Sequence, residues 1–486
     1  MNSEIRNLEP KALWNKFADL NEVPRPSKKE ERVIEFMKQF GTSLGLQTEV
    51  DAVGNVLIRK KATPGFENKK TVVMQSHLDM VHQKNADTQF DFDAQGIEMV
   101  VDGDWVKAKG TTLGADNGLG VATIMAILES DTIEHPAIEA LFTIDEETGM
   151  TGAKGLQGGW LTGDILLNLD TEEDDEIGVG CAGGVDVTAS CSYTEETIPS
   201  NSVAYSLTVN GLNGGHSGMD IDKGLGNANK IMNRVLYEAS KVTALQIVSI
   251  KGGSLRNAIP RESFATVVIA EKDQATFENK VNEILQLIKE ELKLVEENLA
   301  IKAQTIETPK MTMSVELSTQ LMQSLYAAHN GVYTMSAAIP DLVETSNNIA
   351  KVEVGAGTII IKCLTRSSVE SSKQDLVNKL TATFNLIGCD VTTGGDYPGW
   401  APDMSSSILK VMDALYTELH GEKANVAACH AGLECGILGQ NYPKMEMISF
   451  GPTIKGAHSP DERASISSVQ KYWNFTLETL KRIPGK

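Results

Sequence analysis

The sequence has few cysteines and no long apolar run. Its 486 residues include six cysteines, none in a C-x-x-C pair, so neither a disulfide framework nor a thiolate zinc site is indicated. A protein with so few cysteines and no paired spacing typically keeps them as free thiols in a reducing compartment. No apolar stretch reaches the roughly 18 residues of a membrane span, and no basic start precedes an apolar signal segment. We therefore expect a cytoplasmic protein.

Basic residues are also scarce compared with acidic ones. The chain has 44 Lys and Arg residues against 65 Asp and Glu residues, for a formal net charge of −21. A surface of this charge repels the phosphate backbone of nucleic acids and anionic lipid headgroups. The charge balance therefore disfavours a nucleic-acid partner and a membrane-surface role.

The length predicts more than one domain, because a single core rarely grows beyond about 250 to 300 residues. Short apolar runs alternate with helical patterns in the first part, which predicts an α/β catalytic domain with a mostly parallel sheet between helices. Apolar residues from Phe277 to Leu299 recur at helical spacing and predict an amphipathic helix in an inserted α+β domain. We place the catalytic domain at 1–185 and 400–486, and a lid and dimerisation domain at 186–399.

Polar residues of metal-binding type follow several predicted strands. Thr71 to Met74 runs into His77-Leu78-Asp79, and Ala140 to Ile144 runs into Glu146-Glu147. Ligands of open α/β sheets collect at the carboxyl ends of the strands, so residues far apart in sequence can meet there. The candidate residues at strand ends or at the corner before a helix are His77, Asp79, Asp116, Glu146, Glu147, Asp170 and His458.

Charge balance divides this set into ligands and other roles. Two divalent ions about 3.5 to 4 Å apart can hold a hydroxide and polarise a carbonyl. Their charge balances one hydroxide and the three carboxylates of Asp116, Glu147 and Asp170. His77 and His458 add neutral nitrogen donors. The set therefore predicts a two-metal hydrolase site with five protein ligands.

Two carboxylates remain outside the ligand set. Glu146 adjoins a ligand and is predicted to act as the general base that takes a proton from the water. Asp79 is predicted to accept the second ring N–H of His77 and so to orient that ring. Each motif taken alone is more often structural: a packed His-x-Asp pair, a solvated Glu-Glu loop or an Asp-Asn-Gly turn. Their joint occurrence at strand ends favours the site.

Four motifs carry a resemblance to a known family. They are Ser76-His77-Leu78-Asp79-Met80-Val81, Gly114-Ala115-Asp116-Asn117-Gly118, Glu146-Glu147-Thr148-Gly149 and Gly456-Ala457-His458-Ser459-Pro460. These motifs resemble the co-catalytic zinc exopeptidases, which include carboxypeptidase G, tripeptidase T and bacterial dipeptidases. The blocks LNGGHSG at 212–218, RNAIPRE at 256–262 and HAGLECG at 430–436 are similar to the aminoacyl-histidine dipeptidases, also called Xaa-His dipeptidases or peptidase D.

The resemblance implies two divalent ions per subunit, with zinc as the first choice and cobalt or manganese as alternatives. His77 and Asp170 would hold one ion, Glu147 and His458 the other, and Asp116 would bridge them. The family resemblance also implies a homodimer.

In the inserted domain, the resemblance assigns catalytic and substrate-binding roles. His216 resembles the histidine that stabilises the oxyanion in this family. By the same resemblance, Asn257, Arg366 and the segment Gly432-Leu433-Glu434 look placed to bind the ends of the substrate. Arg261 is the competing candidate for the substrate carboxylate, since both arginines offer a planar guanidinium.

The expected reaction is hydrolysis of dipeptides that have a free amino terminus. Family members with Asp at the position of Asp170 tend to be aminopeptidases or dipeptidases, which favours Xaa-His and other dipeptides, with β-alanyl-histidine as a candidate. On the same fold, the alternatives are a tripeptidase and an N-acyl amino acid deacylase. A non-catalytic binding protein is the alternative from a different class.

Overall fold

The computed structural model describes residues 2–486 and divides into two compact units. Unit 1 comprises the chain up to Gly180, Pro402–Ala428 and Leu433–Lys486. Unit 2 comprises Cys181–Ala401 and Cys429–Gly432. The sequence placed the domain borders at 185/186 and 399/400, and the structure groups the short segment Cys429–Gly432 with unit 2. The role of the middle domain as a lid stays a prediction.

Helices are found in both units. Among the described residues, no helix combines the length and the apolar character needed to cross a membrane. Short 3-10 helices span Ile5–Asn7 and Glu271–Asp273. The α-helices, α1 to α12 in chain order, are Lys11–Asn21, Glu31–Ser43, Ala115–Glu129, Glu146–Gly149, Thr151–Gly155, Ala228–Ser240, Gln274–Leu292, Val315–Ala327, Glu370–Asn385, Ser407–His420, Glu434–Asn441 and Ile466–Arg482.

Strands form a large sheet in each unit and several small ones. The strands, β1 to β25 in chain order, are Gln47–Val50, Val56–Lys60, Val72–His77, Met99–Asp102, Trp105–Ala108, Ile138–Thr143, Ile165–Asn168, Glu176–Cys181, Gly183–Ser192, Glu196–Thr197, Ser202–Asn210, Gly215–His216, Gln246–Gly252, Ala258–Ile259, Ser263–Ala270, Ala300–Ile306, Met311–Thr312, Gly331–Met335, Val343–Gly355, Thr358–Ser367, Asp390–Tyr397, Asn425–Cys429, Glu446–Ser449, Ile454–Lys455 and Arg463–Ser465.

The main sheet of unit 1 has the strand order β1-β2-β6-β3-β7-β23-β8-β22. Its centre is parallel, because β3 pairs in parallel with β6 and β7, and β7 pairs in parallel with β23. Strands β2 and β8 pair antiparallel with this central group. Every residue of β3, β6 and β7 is buried, as expected for a sheet covered on both faces. The predicted α/β fold is confirmed.

A smaller sheet of unit 1, in the order β24-β25-β5-β4, flanks the loop that contains His458. Strand β25 pairs antiparallel with β5, with Arg463 opposite Lys107. The loop between β24 and β25 is therefore anchored at both ends by strand pairing.

Unit 2 contains the sheet β16-β11-β15-β13-β19-β20-β9-β21, with β18 added beside β19. Its strand pairs are antiparallel. The predicted amphipathic helix is α7, which buries Phe277, Val281, Ile284 and Ile288. The helix ends at Leu292, earlier than the apolar pattern that continues to Leu299. An antiparallel sheet with helices agrees with the α+β prediction.

Two cysteines of unit 2 form a disulfide, so the prediction of free thiols is wrong for this pair. The sulfurs of Cys191 and Cys389 are 2.11 Å apart, and their Cα atoms are 4.5 Å apart. Cys191 lies in β9, and Cys389 directly precedes β21, which pairs antiparallel with β9. The residues are 198 positions apart in sequence, so only the pairing of these strands reveals their proximity.

Candidate metal centre and active site

Most of the predicted site residues of unit 1 lie at the carboxyl ends of the central strands. His77 is the last residue of β3, and Asp170 follows β7 by two positions. Glu146 and Glu147 begin α4, shortly after β6. Because β3, β6 and β7 are parallel neighbours, their carboxyl ends lie at one edge of the sheet.

Two groups of potential metal ligands share Asp116. In the first, His77 Nε2 lies 3.1 Å from Asp116 Oδ1 and 3.4 Å from Asp170 Oδ1. In the second, His458 Nε2 lies 3.2 Å from Asp116 Oδ2 and 3.0 Å from Glu147 Oε2. Within each group, the ligand atoms all lie within 4.8 Å of one another. Each oxygen of Asp116 faces a different group, which is the geometry that a bridging carboxylate requires.

The ring of His77 is oriented by Asp79. Nδ1 of His77 lies 3.2 Å from the backbone oxygen of Asp79 and 3.4 Å from its Oδ1. Both atoms are acceptors, so Nδ1 carries the proton of the neutral ring and Nε2 keeps a lone pair for a metal. The sequence predicted this contact through the carboxylate, whereas the nearer acceptor is the backbone carbonyl.

The clustered carboxylates make this region strongly negative. Burial alone lowers the pKa of His77, but the charge of Asp170 and the hydrogen bond with Asp116 outweigh it and raise that pKa well above its ordinary value. Hydrogen bonds to Asp116 and Glu147 raise the pKa of His458 to about 11. Burial raises the pKa of Asp170 to about 6. The raised pKa values of both histidines reflect an excess of negative charge that bound cations would neutralise.

The chemistry of the donor set fits two divalent ions. Glu147 Oε1 is buried, and within residues 2–486 it has no hydrogen-bond partner. Burying such an oxygen is costly unless a ligand pairs with it. Two imidazoles and three carboxylates form a nitrogen and oxygen set of the kind that suits Zn²⁺, and carboxylates also suit Mn²⁺.

Glu146 and Glu147 lie in helical backbone, at the first two positions of α4. Asp79 holds the start of α4 by accepting the backbone N–H of Glu146 at 3.0 Å and that of Glu147 at 3.3 Å. Successive side chains on a helix still point about 100° apart, so the two glutamates face different directions. Burial, with a contribution from Asp170, raises the pKa of Glu146 well above its ordinary value.

A buried arginine that the sequence reasoning missed holds the ligand-bearing loops together. Arg25 is 1 % exposed. Its Nη1 donates to the backbone oxygens of Leu78 and Asp79, both at 3.1 Å, and its Nη2 donates to that of Gly114 at 2.6 Å. The guanidinium therefore joins the end of β3 to the loop before Asp116.

Glu462 is a second buried charge that the sequence reasoning missed. Its carboxylate accepts the backbone N–H groups of Leu113, Gly114, Ala115 and Asp116 at 2.7 to 3.2 Å. These bonds fix the backbone that presents Asp116 to both histidines. In the sequence, only its position four residues after His458 hinted at a role in the site. A single acidic residue in a loop gives no sign that its side chain is buried.

Replacing Glu462 by glutamine is expected to destabilise unit 1 and to weaken metal binding. The amide offers one acceptor oxygen for four N–H groups, and an unpaired buried donor costs about 1 to 3 kcal/mol. Loss of an outer partner of a metal site typically lowers metal affinity by about 10 to 100-fold. Urea unfolding and competition with a fluorescent chelator measure the two effects.

The control for this variant is Glu418→Gln, the same chemical change at a glutamate whose side chain is 61 % exposed. Glu418 pairs with Arg482 at the surface, where ion pairs contribute about 0 to 1 kcal/mol. Equal effects of the two substitutions on chelator competition would exclude a role for Glu462 in shaping the metal centre.

His216, in unit 2, has a defined tautomer. Its Nδ1 accepts the backbone N–H groups of Gly218 at 3.2 Å and Met219 at 3.1 Å. Burial and the nearby charge of Arg366 lower the pKa of His216, so the ring is neutral near pH 7. With Nδ1 as an acceptor, the proton lies on Nε2, which can donate to a developing oxyanion.

The two candidate arginines of unit 2 differ in their exposure and in which of their N–H groups already have an acceptor. Arg366 is 4 % exposed and donates from Nη1 to the hydroxyl of Tyr397 at 2.8 Å. Its Nε is buried and unpartnered within the described chain. Arg261 is exposed and donates from Nε to the backbone oxygen of Leu212 at 3.0 Å. Arg366 is therefore the stronger candidate for a carboxylate.

Comparison with known proteins identifies a family. Residues 73–482 match the profile of peptidase family M20/M25/M40. The chain is 43 % identical over 484 residues to the cytosol non-specific dipeptidase of Escherichia coli K12, covering 100 % of both sequences. A Bacillus subtilis protein, YqjE, is 29 % identical over 174 residues, which is 33 % of this chain and 43 % of that protein.

Solved structures agree with this result. The aminoacylhistidine dipeptidase of Vibrio alginolyticus superposes with a TM-score of 0.95 at 43 % identity, covering 100 % of this chain and 99 % of that one. Aminopeptidase PepT of Bacillus cereus has a TM-score of 0.57 at 16 % identity, covering 98 % and 99 %. The second likeness shows a shared fold alone.

Proposed function

Because the chain belongs to peptidase family M20/M25/M40, we propose that it is a metallodipeptidase that hydrolyses dipeptides with a free amino terminus, Xaa-His dipeptides among them. The observation that carries this proposal is the pair of ligand groups that share Asp116. The likeness to two full-length dipeptidases, each 43 % identical, supports the substrate class.

When bound at this site, two divalent ions, zinc first and cobalt or manganese as alternatives, would supply an activated water and polarise the peptide carbonyl. His77 and Asp170 would hold one ion, Glu147 and His458 would hold the other, and Asp116 belongs to both groups. These roles follow the two observed groups and the tautomer of His77.

Glu146 is the proposed general base. It takes a proton from the attacking water and passes it to the nitrogen of the leaving amine. Burial raises its pKa, which makes this carboxylate a stronger proton acceptor than an exposed glutamate. Asp79 positions both the ring of His77 and the backbone of Glu146, and so couples the ligand to the base.

The residues of unit 2 are proposed to bind the substrate. His216 donates from Nε2 to the carbonyl oxygen as it becomes negative. Arg366 binds the terminal carboxylate of the dipeptide, and its unpartnered Nε supports this role. Asn257 and Gly432 offer hydrogen-bonding groups to the remaining polar atoms of the substrate.

We also propose a cytosolic location and a homodimer. The name of the Escherichia coli relative, a cytosol dipeptidase, supports the location. The motifs shared with the aminoacyl-histidine dipeptidases support the dimer. The net charge of −21 argues against a nucleic-acid or membrane partner.

A substrate panel tests the proposed specificity. We expect β-alanyl-histidine and other Xaa-His dipeptides to be cleaved with a kcat/KM at least about 100-fold above that of the N-acetylated dipeptide or of a tripeptide. A site built to bind an ionised terminus leaves buried polar groups unpaired when that terminus is blocked. Steady-state kinetics on the metal-loaded protein gives the comparison. A preference for the acetylated form would identify a deacylase, and a preference for the longer peptide would identify a tripeptidase.

A further inference from the structure

Strand β19 contains four consecutive polar residues, Thr345 to Asn348, and each is at most 1 % exposed. Buried polar side chains are costly unless they are hydrogen-bonded, so this run requires an explanation. Side chains alternate between the faces of a strand. Ser346 and Asn348 therefore lie on one face of β19, and Thr345 and Asn347 lie on the other.

Ser346 binds the segment that contains Gly432. Its hydroxyl lies 2.7 Å from Nε2 of His430, and it stands opposite Arg366 in the pairing of β19 with β20. Burial and the charge of Arg366 lower the pKa of His430 to about 3, so this ring is neutral. A Cβ at Gly218 would lie 2.1 Å from the backbone oxygen of His430, so the segment also packs tightly on the turn after His216.

Asn348 binds the segment that contains Asn257. Its Nδ2 donates to the backbone oxygens of Arg256 at 3.0 Å and Ala258 at 2.8 Å, on either side of Asn257. Ala258 pairs with His216 in the ladder of β12 and β14. Asn348 is therefore bonded directly to the strand that supports both Asn257 and His216.

We infer that Ser346 and Asn348 are positioning residues that hold the substrate-binding groups of unit 2 in one arrangement. The two side chains lie two positions apart on one face of β19, and between them they reach both segments. Neither is required to touch the substrate. The inference rests on the proposed function, because the groups they position are those proposed to bind a dipeptide.

The test compares Asn348→Ala with Asn347→Ala. Asn347 is equally buried, donates to the backbone oxygen of His329 at 2.7 Å and accepts from Thr365 Oγ1 at 2.9 Å, all on the opposite face. Both variants lose buried hydrogen bonds, so both are expected to unfold at lower temperature. A displaced substrate-binding group can cost on the order of 100-fold, so we expect Asn348→Ala to lower kcat/KM by about 10 to 100-fold, mainly through KM, with two metals bound. Asn347→Ala is expected to keep the kcat and KM of the wild type per folded molecule.

A second pair of variants covers the case in which Asn348→Ala does not fold. Ser346→Ala removes one hydroxyl from the positioning face, and Thr345→Val removes one from the opposite face, where Thr345 and Ser367 are 2.9 Å apart. Ser346→Ala is expected to raise KM, and Thr345→Val is not. Ser346→Thr, which keeps the hydroxyl, is expected to have the KM of the wild type. Equal kinetics within either pair would overturn the inference. A wild-type protein that cleaves no dipeptide would instead refute the proposed function.

Discussion

Replacing Glu146 by glutamine is expected to lower kcat on a dipeptide by about 10²- to 10⁴-fold, the usual contribution of a general base. Glutamine has the size of glutamate but cannot accept the proton of the water. The start of α4 should be unchanged, because Asp79 holds it through backbone N–H groups and not through the side chain of Glu146. Steady-state kinetics measures kcat, and metal analysis of the same sample measures the number of bound ions.

The neighbouring glutamate provides the contrast. Glu147→Gln removes a carboxylate whose Oε2 lies 3.0 Å from Nε2 of His458, so we expect it to lower the metal content as well as the turnover. Glu35→Gln, on the exposed face of α2, is expected to change neither. A Glu146→Gln protein that binds two metals and keeps full turnover would exclude the proposed base.

The sequence predicted the parts of the site that depend on strand order. His77, Asp170 and the Glu146-Glu147 pair follow apolar strands, and parallel neighbours bring such residues to one edge of the sheet. Asp116 and His458 were predicted from their motifs and from charge balance. In the structure, Asp116 lies beside both His77 and Glu147, and His458 lies beside Glu147. Periodicity also predicted the α/β fold of unit 1 and the helical pattern of α7, since both depend on local spacing.

The sequence did not reveal contacts that depend on burial. Arg25 and Glu462 are single charged residues in loops, and such residues usually lie at the protein surface, yet each is almost completely buried. Their role becomes visible only through the backbone groups that they bind. The disulfide of Cys191 with Cys389 was missed for a similar reason, because antiparallel pairing across 198 residues leaves no local pattern.

Backbone conformation at two turns of the site was also beyond sequence reasoning. Asp145 and His458 have φ values of 53° and 63°, in the left-handed region that non-glycine residues seldom adopt. Such conformations cost about 1 to 3 kcal/mol and persist where surrounding contacts determine them. Asp145 directly precedes Glu146, and His458 is itself a proposed ligand. The strained positions therefore coincide with the residues whose direction matters most.

Replacing Asp116 by asparagine is expected to remove both ions from the protein, because this residue is the one shared by the two groups. Asparagine has one oxygen and no charge, so it can serve only one group and leaves two carboxylates to balance two divalent ions. Outer partners of a metal site already change affinity by about 10- to 100-fold, and we expect a larger loss for this bridging ligand. Metal analysis after gel filtration should find fewer than one ion per chain, and dipeptide turnover should fall to the background rate.

Two comparisons separate bridging from simple charge removal. Asp102→Asn, at a side chain that is 66 % exposed, removes the same charge and is expected to leave two ions bound. Asp170 belongs only to the group that contains His77, so Asp170→Asn removes a carboxylate from that group and leaves the other group intact. The ion between Glu147 and His458 should therefore be bound more tightly in Asp170→Asn than in Asp116→Asn. If Asp116→Asn and Asp170→Asn lost the same amount of metal, Asp116 would belong to one ion only. The different metal contents expected of these two variants follow from one geometric fact, that the two oxygens of Asp116 face different histidines.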